Sequence, residues 1–260
     1  MSTYNDFHSF WDTKFFYSST HLTPYAEGEY DWINPDNYEN FKKNPKPNYT
    51  TKSFTYKINR LGFRCMDIDE ALTNGKPTIC AFGCSYTMGI GIAEADNWPN
   101  QLRNLINPNY NLLNFSIGGS SSDTIVRYLH MVLENFNPFL VAILWPYSAR
   151  YEEYNYIPKD PNLCPTNLGP WLAKTGIDHY DDTHFYNLKV KNMIMANLLL
   201  KKHNTKAIQY NINEPEYKEF LDSPKLDVWE DSSGGRDGHP GPIWHGLVAK
   251  KYYTKFTEMQ

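Results

Sequence analysis

The sequence predicts an α/β sandwich built around one mostly parallel sheet, and two observations carry this prediction. Short apolar segments alternate with segments of helical period between residues 76 and 252, which is the order expected of strands joined by crossover helices. Phe139–Trp145 (FLVAILW) is an unbroken apolar run, typical of a central parallel strand covered on both faces. At 260 residues, the chain has the length of one such domain.

The N-terminal part of the chain has a different composition. Residues 1–55 are rich in Tyr, Asn, Pro and Asp and show no sustained strand or helix period, which predicts an irregular extension with one short helix near Asp6–Phe16. Alternation over residues 53–65 (SFTYKINRLGFRC) predicts a strand and a turn that lead into the core. We therefore expect an extension over 1–55 that packs on a domain formed by 56–260.

Two strands are predicted before the apolar run, each followed by a helix. Pro77–Phe82 predicts a buried strand that presents Ser85 on a tight turn, and Asn111–Ile117 predicts a strand that ends in two glycines and three serines. Helices are predicted over Glu94–Ile106, where Pro99 lies in the first turn, and from Asp123 onward. The side chains expected to face inward from these helices are Trp98, Leu102, Leu105, Ile125, Leu129, Val132, Leu133 and Phe136.

The segments after the apolar run continue the same pattern. Residues 147–185 predict a loop too long for a routine connection, which indicates a lid or a subunit contact. A helix over Asn187–His203, a strand over Lys206–Ile212 and a last helix from Pro242 follow. Leu226–Trp229 predicts a short fifth strand.

Charge and hydropathy argue against several classes of protein. A net charge of −4 and a pI near 6.1 give no broad basic surface for nucleic acid. No apolar run approaches the roughly 18 residues of a membrane span, and the N-terminus lacks the basic and apolar regions of a signal peptide. The four cysteines show no paired spacing, which suits a reducing compartment. We expect a protein made in the cytoplasm with no nucleic-acid partner.

Candidate catalytic residues follow the predicted strands. Right-handed crossovers place the strand ends along one edge of the sheet, so Ser85, Gly119 and residues 145–148 are expected to meet there. The loop before the last helix carries His239, with Asp237 two residues earlier. A histidine so placed can accept a serine proton while a carboxylate holds its tautomer. Ser85, His239 and Asp237 therefore form a candidate triad.

Other polar residues near these motifs have simpler interpretations. Cys84 is an alternative nucleophile at the turn, but a small residue that fills the turn is the preferred interpretation. His245 and Asp237 lack a convincingly spaced third metal ligand, so we expect no metal and no cofactor, and His245 is expected to cap or pack the last helix. The candidate substrate contacts are Tyr86, Trp145, Tyr147 and Arg150.

In their order along the chain, these motifs resemble those of the SGNH, or G-D-S-L type, hydrolase superfamily. The Gly-Asp-Ser motif of that family is matched by residues 83–85 (GCS), with Cys84 in place of the aspartate, and its N-x-S-I-x-G pattern by residues 114–119. Its His-Pro motif is matched by His239 and Pro240. The resemblance covers about residues 56–250 and implies a three-layer α/β/α sandwich with a flavodoxin-like sheet.

The resemblance also implies an oxyanion hole. The backbone N–H groups of Ser85 and Gly119 would hold the oxyanion, and the third family motif would supply an asparagine after the central strand. Here Tyr147 or Ser148 stands in that place. Loss of one such donor typically costs on the order of 10² to 10³ in rate. The resemblance therefore implies a slow enzyme unless Arg150, Tyr147 or an asparagine of the long loop substitutes.

Three functional hypotheses follow from these residues and from the resemblance. The first is a serine esterase that hydrolyses small O-acyl esters, acetyl above all, on a small molecule or a glycan. The second is a weakly active or inactive module of the same fold that binds or supports an assembly, such as a virus particle or a surface structure. The third is an acyl- or sulfo-group transferase. The oligomeric state stays open.

Overall fold

The computed structural model describes residues 25–33, 36, 39, 42, 54–155, 164–168, 182–212, 226 and 239–260. In chain order its elements are β1 (Gly28–Tyr30), β2 (Tyr56–Ile58), α1 (Ile68–Thr73), β3 (Thr78–Phe82), α2 (Ser85–Met88), a 3₁₀ turn (Glu94–Asp96), α3 (Trp98–Ile106), β4 (Asn111–Asn114), α4 (Ser122–Asn135), β5 (Leu140–Trp145), β6 (Tyr151–Asn155), β7 (Cys164–Leu168), α5 (Asp182–Lys202), β8 (Ala207–Asn211) and α6 (Pro242–Glu258). No helix among these described residues is both long and apolar enough to cross a membrane.

The four central strands form a parallel sheet in the order β4-β3-β5-β8. The chain passes from β3 to β4 on one side and then crosses back beyond β3 to reach β5. The direction of winding therefore reverses between β3 and β5, and the carboxyl ends of these two strands form the switch point at which such sheets bind ligands. The predicted α/β fold with a mostly parallel, flavodoxin-like sheet is confirmed.

Helices cover both faces of this sheet and form three layers. Alternate residues of β5 separate two apolar clusters: Val141, Ile143 and Trp145 pack with α4 and α5. Ala142 and Leu144 pack in the second cluster, with α3 and α6. All six residues of β5 are buried, as the uninterrupted apolar run predicts for a strand covered on both faces.

The sequence-predicted helix starts agree with the observed caps. The Asn97 side chain accepts a hydrogen bond from the Asn100 N–H at 3.0 Å and caps α3. Trp98 and Leu102 of that helix are buried, but the prediction for Leu105 is wrong because it is 41% exposed. Ile106, one residue later, packs against the core instead, so the buried stripe continues at a spacing of four.

Helix α4 begins one residue earlier than the acidic residue predicted at its head. Ser121 caps it and forms a capping box with Thr124, which satisfies two N–H groups that have no partner within the helix. The inward side chains predicted for this helix are buried at Ile125, Leu129, Val132 and Leu133. Phe136 is partly buried against the same cluster.

The prediction that residues 147–185 are loop-like is wrong in part, because β6 and β7 lie within them as an antiparallel pair. Their sequences, YEEYN and CPTNL, lack apolar alternation, so backbone pairing rather than a hydrophobic pattern defines them. A second small sheet pairs β1 with β2, so the predicted strand at 53–65 is present and one strand lies within the N-terminal 55 residues. Of the predicted strand Leu226–Trp229, only Leu226 is described. The predicted helix near Asp6–Phe16 lies outside the described residues.

Candidate active site

The turn that carries Ser85 is imposed by tight packing after β3. A Cβ atom on Gly83 would lie 2.0 Å from Thr87 Oγ1 and 3.1 Å from the Leu144 carbonyl oxygen, so only glycine fits at this position. The chain then turns through an extended Cys84 (φ −108°, ψ −155°) into the single-turn helix α2. Ser85 is the first residue of that helix and is 4% exposed.

The loop that follows α2 is held by the buried guanidinium of Arg64. Arg64 Nη1 donates to the Gly89 carbonyl at 2.5 Å, and Nη2 donates to the Ile92 carbonyl at 2.9 Å. Nη1 also lies 3.4 Å from the Met88 carbonyl oxygen. A cation beside carbonyls that a helix leaves unpaired is favourable, so Arg64 fixes the exit of the turn that begins at Ser85.

A second buried group ties the same loop to the N-terminal part of the chain. The Tyr56 hydroxyl donates to Asp36 Oδ2 and accepts a hydrogen bond from the Gly91 N–H at 2.7 Å. The Arg64 guanidinium lies 4.2 Å from the centroid of the Tyr56 ring. Burial, and then the adjacent Asp36 charge, raise the pKa of Tyr56. Tyr56 therefore stays protonated and holds both partners at neutral pH.

Tyr86 joins three elements next to Ser85. Its ring lies edge-on to the ring of His239, with centroids 5.4 Å apart, and edge-on to Trp244 at 5.6 Å. Its hydroxyl is hydrogen-bonded to Tyr147, which follows β5. Burial first, and then the neighbouring Tyr147, raise the pKa of Tyr86. The Ser85 turn, the end of β5 and the start of α6 therefore meet at one point.

Arg150 connects the end of β5 with the loop after β4. Its guanidinium carbon lies 5.9 Å from the centroid of the Tyr147 ring, and Nη1 lies 3.5 Å from the carbonyl oxygen of Ser120. Ser120 follows Gly119, the predicted oxyanion donor, whose φ of +80° is a conformation that favours glycine. The segment after β5 thus reaches the predicted oxyanion loop.

The residues just beyond Arg150 are anchored to the start of α4. Glu152 Oε1 accepts from Arg127 Nη2 at 2.6 Å, and Oε2 accepts from Arg127 Nε at 3.1 Å. Thr124 Oγ1 also donates to Glu152 Oε1 at 2.7 Å. The backbone N–H of Glu152 donates to Asp123 Oδ2 at 3.0 Å. Side chain and backbone together fix the base of the β6–β7 pair.

His245 does not cap its own helix but is buried in the packing of α6 against α3, the second of the two roles predicted for it. Its Nδ1 accepts the backbone N–H of Trp98 at 3.1 Å, one of the N–H groups that the start of α3 leaves unpaired. The proton is therefore on Nε2, which is buried and has no hydrogen-bond partner among the described residues. Burial, and then the charge of His239, lower the pKa of His245 to about 3.

The structure places most of the sequence-predicted site residues around the switch point. Ser85, Tyr86, Tyr147 and His239 lie there, as does Arg150, and the Ser85 hydroxyl makes no hydrogen bond to another described residue. Asp237 lies outside the described residues.

Two predicted residues prove to be part of the core. Trp145 is fully buried, and its Nε1 donates to Gln209 Oε1 at 3.0 Å, so a substrate does not reach it. Cys84 is 1% exposed within the apolar cluster of α3 and α6, as expected of a small residue that fills the turn. The described residues contain no group of three or more side chains suited to a metal ion.

Sequence reasoning did not assign roles to Arg64 and Glu152. Each is a charged residue with a buried side chain, whereas such residues are usually exposed. The available signals were the second of the two arginines inside the alternating segment 53–65 and the position of Glu152 two residues after Arg150.

No protein-family model and no curated protein matches the sequence. Several solved structures are similar in fold. They include a carbohydrate esterase whose active site displays divergent catalytic and non-catalytic binding functions (12% identity, 72% of this chain and 70% of that chain covered, TM-score 0.49). The psychrotrophic esterase EstA from Pseudoalteromonas sp. has 17% identity, with 70% and 97% covered and a TM-score of 0.41. A member of the lipolytic G-D-S-L protein family from Veillonella parvula has 15% identity, with 69% and 98% covered and a TM-score of 0.37. The G-D-S-L family is the one that the motifs resemble. At these identities the likeness concerns the fold alone and is not evidence of activity or substrate.

Proposed function

We propose that the chain is a serine esterase that hydrolyses small O-acyl esters by means of Ser85, His239 and Asp237. The observation that carries the proposal is the position of Ser85. It begins a helix at the switch point of a parallel sheet, where ligands bind, and the next residue, Tyr86, contacts the ring of His239. The contact of Tyr86 with His239, which comes from a separate segment of the chain, supports these two roles.

The proposed reaction follows from these roles. Ser85 Oγ attacks the acyl carbonyl carbon and transfers its proton to His239, whose tautomer Asp237 would hold. The backbone N–H groups of Ser85 and Gly119 stabilise the resulting oxyanion. His239 then protonates the departing alcohol oxygen as the C–O bond breaks, which leaves an acyl-enzyme. Water activated by His239 releases the carboxylic acid and restores Ser85.

The walls of the site favour a small acyl group and a polar alcohol. Ser85 is only 4% exposed, which favours a small acyl group over a bulky one. The half-buried rings of Tyr86 and Tyr147 lie next to it, and tyrosine combines an apolar face with a polar hydroxyl, which suits a sugar ring. We therefore propose acetyl esters of a carbohydrate as the substrate class.

A fluorophosphonate probe and p-nitrophenyl acetate test the proposal together. We expect the probe to modify wild-type protein on the peptide that contains Ser85, and Ser85→Ala to lose both labelling and turnover. Cys84→Ser is the matched control, because it removes the neighbouring thiol and keeps the serine. Wild-type protein that is neither labelled nor active, or equal labelling of Ser85→Ala, would refute the esterase.

The second candidate is a binding or structural module of the same fold. It is favoured by the tyrosine and serine at positions 147 and 148, where the resembled motif has the oxyanion asparagine. This candidate predicts no labelling and no turnover, together with a stable higher-order assembly in sedimentation velocity. Turnover that depends on Ser85 would exclude it.

A further inference from the structure

The proposed oxyanion hole has two backbone donors and lacks the asparagine side chain that the resembled motif supplies. In this chain the segment after β5 carries Arg150 instead. Its guanidinium lies between Tyr147, which follows β5, and the carbonyl of Ser120, which follows Gly119. It therefore spans the gap between the two strand ends that border Ser85.

We propose that the Arg150 guanidinium is the third group that stabilises the oxyanion, in place of a side-chain amide. The inference rests on the proposed function. Arginine keeps its charge at every pH at which the protein is folded and offers five N–H donors. Within a site that largely excludes water, such a charge acts on a developing oxyanion more strongly than it would in water.

The charge of Arg150 reaches the neighbourhood of Ser85. Among the groups that influence the Tyr86 hydroxyl, Arg150 acts to lower its pKa against the larger effects of burial and Tyr147. Tyr86 is the residue after Ser85, so the field of the guanidinium extends to the nucleophile turn. Arg150 itself is half-buried, which leaves it accessible to a bound ester.

The backbone contacts around Arg150 hold its segment in place. Its backbone N–H donates to the Ser148 carbonyl in a tight turn. Two residues later, Glu152 is bound through its backbone to Asp123 and through its side chain to Arg127. The backbone that presents Arg150 is thus anchored to α4.

Steady-state kinetics of Arg150 variants on p-nitrophenyl acetate test the inference. Arg150→Met and Arg150→Ala should lower kcat on the order of 10² to 10³-fold with little change in KM, as expected for a group that acts mainly on the transition state. Arg150→Lys should retain part of the lost rate, because it keeps a charge without the planar fork. Arg103→Met, on the half-exposed face of α3, is the control and should leave kcat unchanged.

Chemical rescue separates a catalytic role from a structural one. Guanidinium ions at tens of millimolar should restore part of the activity of Arg150→Ala, whereas sodium chloride at the same ionic strength should not. Fluorophosphonate labelling of Ser85 should slow in parallel with kcat, because the phosphonyl oxygen occupies the same hole. Thermal unfolding of each variant confirms that it is folded.

Three results would overturn the role proposed for Arg150, and each can be distinguished from a result that overturns the esterase proposal. Wild-type protein that is labelled and active, with an equal kcat in Arg150→Met, would remove Arg150 from the oxyanion hole. A loss confined to KM would make it a substrate-binding residue instead, and Arg150→Lys as inactive as Arg150→Met would exclude a role for the charge. Absence of labelling and turnover in wild-type protein would overturn both proposals.

Discussion

The pair formed by Arg127 and Glu152 permits a quantitative test of how the site is anchored. The side chains of these residues are 9% and 2% exposed and are joined by two hydrogen bonds. Glu152→Gln keeps the size of the side chain and removes its charge, which leaves the Arg127 guanidinium buried without its carboxylate. Breaking a buried ion pair on one side costs about 3 to 5 kcal/mol. In a protein of about this size, that corresponds to a fall in melting temperature of roughly 6 to 20 °C.

The chain contains a matched exposed pair for comparison. Lys202 Nζ lies 2.6 Å from Glu134 Oε1, the same distance as in the buried pair, but these side chains are 61% and 37% exposed. Because water screens such a pair, Glu134→Gln should change the free energy of unfolding by no more than about 1 kcal/mol. Urea unfolding of wild-type protein, Glu152→Gln and Glu134→Gln, monitored by tryptophan fluorescence, measures the difference.

A double variant shows whether the loss comes from the unpaired charge. Replacement of both partners by methionine, Arg127→Met with Glu152→Met, removes the charge and keeps an apolar volume, so it should be more stable than Glu152→Gln alone. If Glu152→Gln proves no more destabilising than Glu134→Gln, burial does not strengthen the Arg127–Glu152 pair. The pair would then not be what anchors the β6 segment to α4.

Three further changes have outcomes that follow from local packing. Cys84→Asp restores the acidic residue of the resembled motif but places a carboxyl group in an apolar cluster. Burial would raise its pKa, so the variant should lose about 4 kcal/mol at pH 7 and much less near pH 4, as measured by urea unfolding at several pH values. Gly83→Ala should lose about 1 to 3 kcal/mol in thermal unfolding, because the new methyl group meets Thr87 Oγ1. His245 has a folded-state pKa lowered to about 3, so between pH 6.5 and 3 only the unfolded state takes up its proton. The stability of wild-type protein should therefore fall as the pH drops through this window, by up to roughly 5 kcal/mol from this residue, and His245→Asn should show a shallower decline.

Each of these changes has a control or a contrary outcome. Equal destabilisation by Cys84→Asp at pH 4 and pH 7 would show that the new carboxyl group finds a partner. Gly246→Ala is the control for Gly83→Ala, since its Cβ would meet only the mobile end of the Gln101 side chain, at 3.2 Å. Similar stability of the two alanine variants would contradict the packing argument. If His245→Asn followed the same pH dependence as wild-type protein, other groups would account for the acid sensitivity.

The central sheet could be predicted because its strands are marked by local apolar patterns. β5 is an uninterrupted apolar segment and β3 is a short, largely apolar one, while β8 (AIQYN) places its apolar Ile208 and Tyr210 at alternate positions. The β6–β7 pair could not be predicted, because its two strands are largely polar and their sequences show no apolar alternation. Only the pairing of their backbones defines them. The same is true of Arg64 and Glu152, whose partners lie more than 20 residues away and leave no periodic signal.

The order and direction of the strands were enough to predict which residues meet at the candidate site. Parallel strands present their carboxyl ends at one edge, so the order of the strands alone predicts that Ser85 and Tyr147 are neighbours. The same reasoning was wrong for Trp145, which it placed among the substrate contacts. It has the same parity as Val141 and Ile143 in β5, so strand alternation directs it into the core, although it immediately precedes the loop that borders the site.

The position of Arg64 has a consequence for the order in which the molecule assembles. Its guanidinium lies 24 to 28 residues before the carbonyls that it binds, whereas α2 is stabilised by contacts within a few residues. Closing the intervening chain has an entropic cost that must be met before these bonds form. The turn that carries Ser85 is thus finished only when the segment around Arg64 docks. A chain arrested before that docking would have a native-like sheet and an unfinished Ser85 turn, so the proposed esterase activity should recover more slowly during refolding than the secondary structure does.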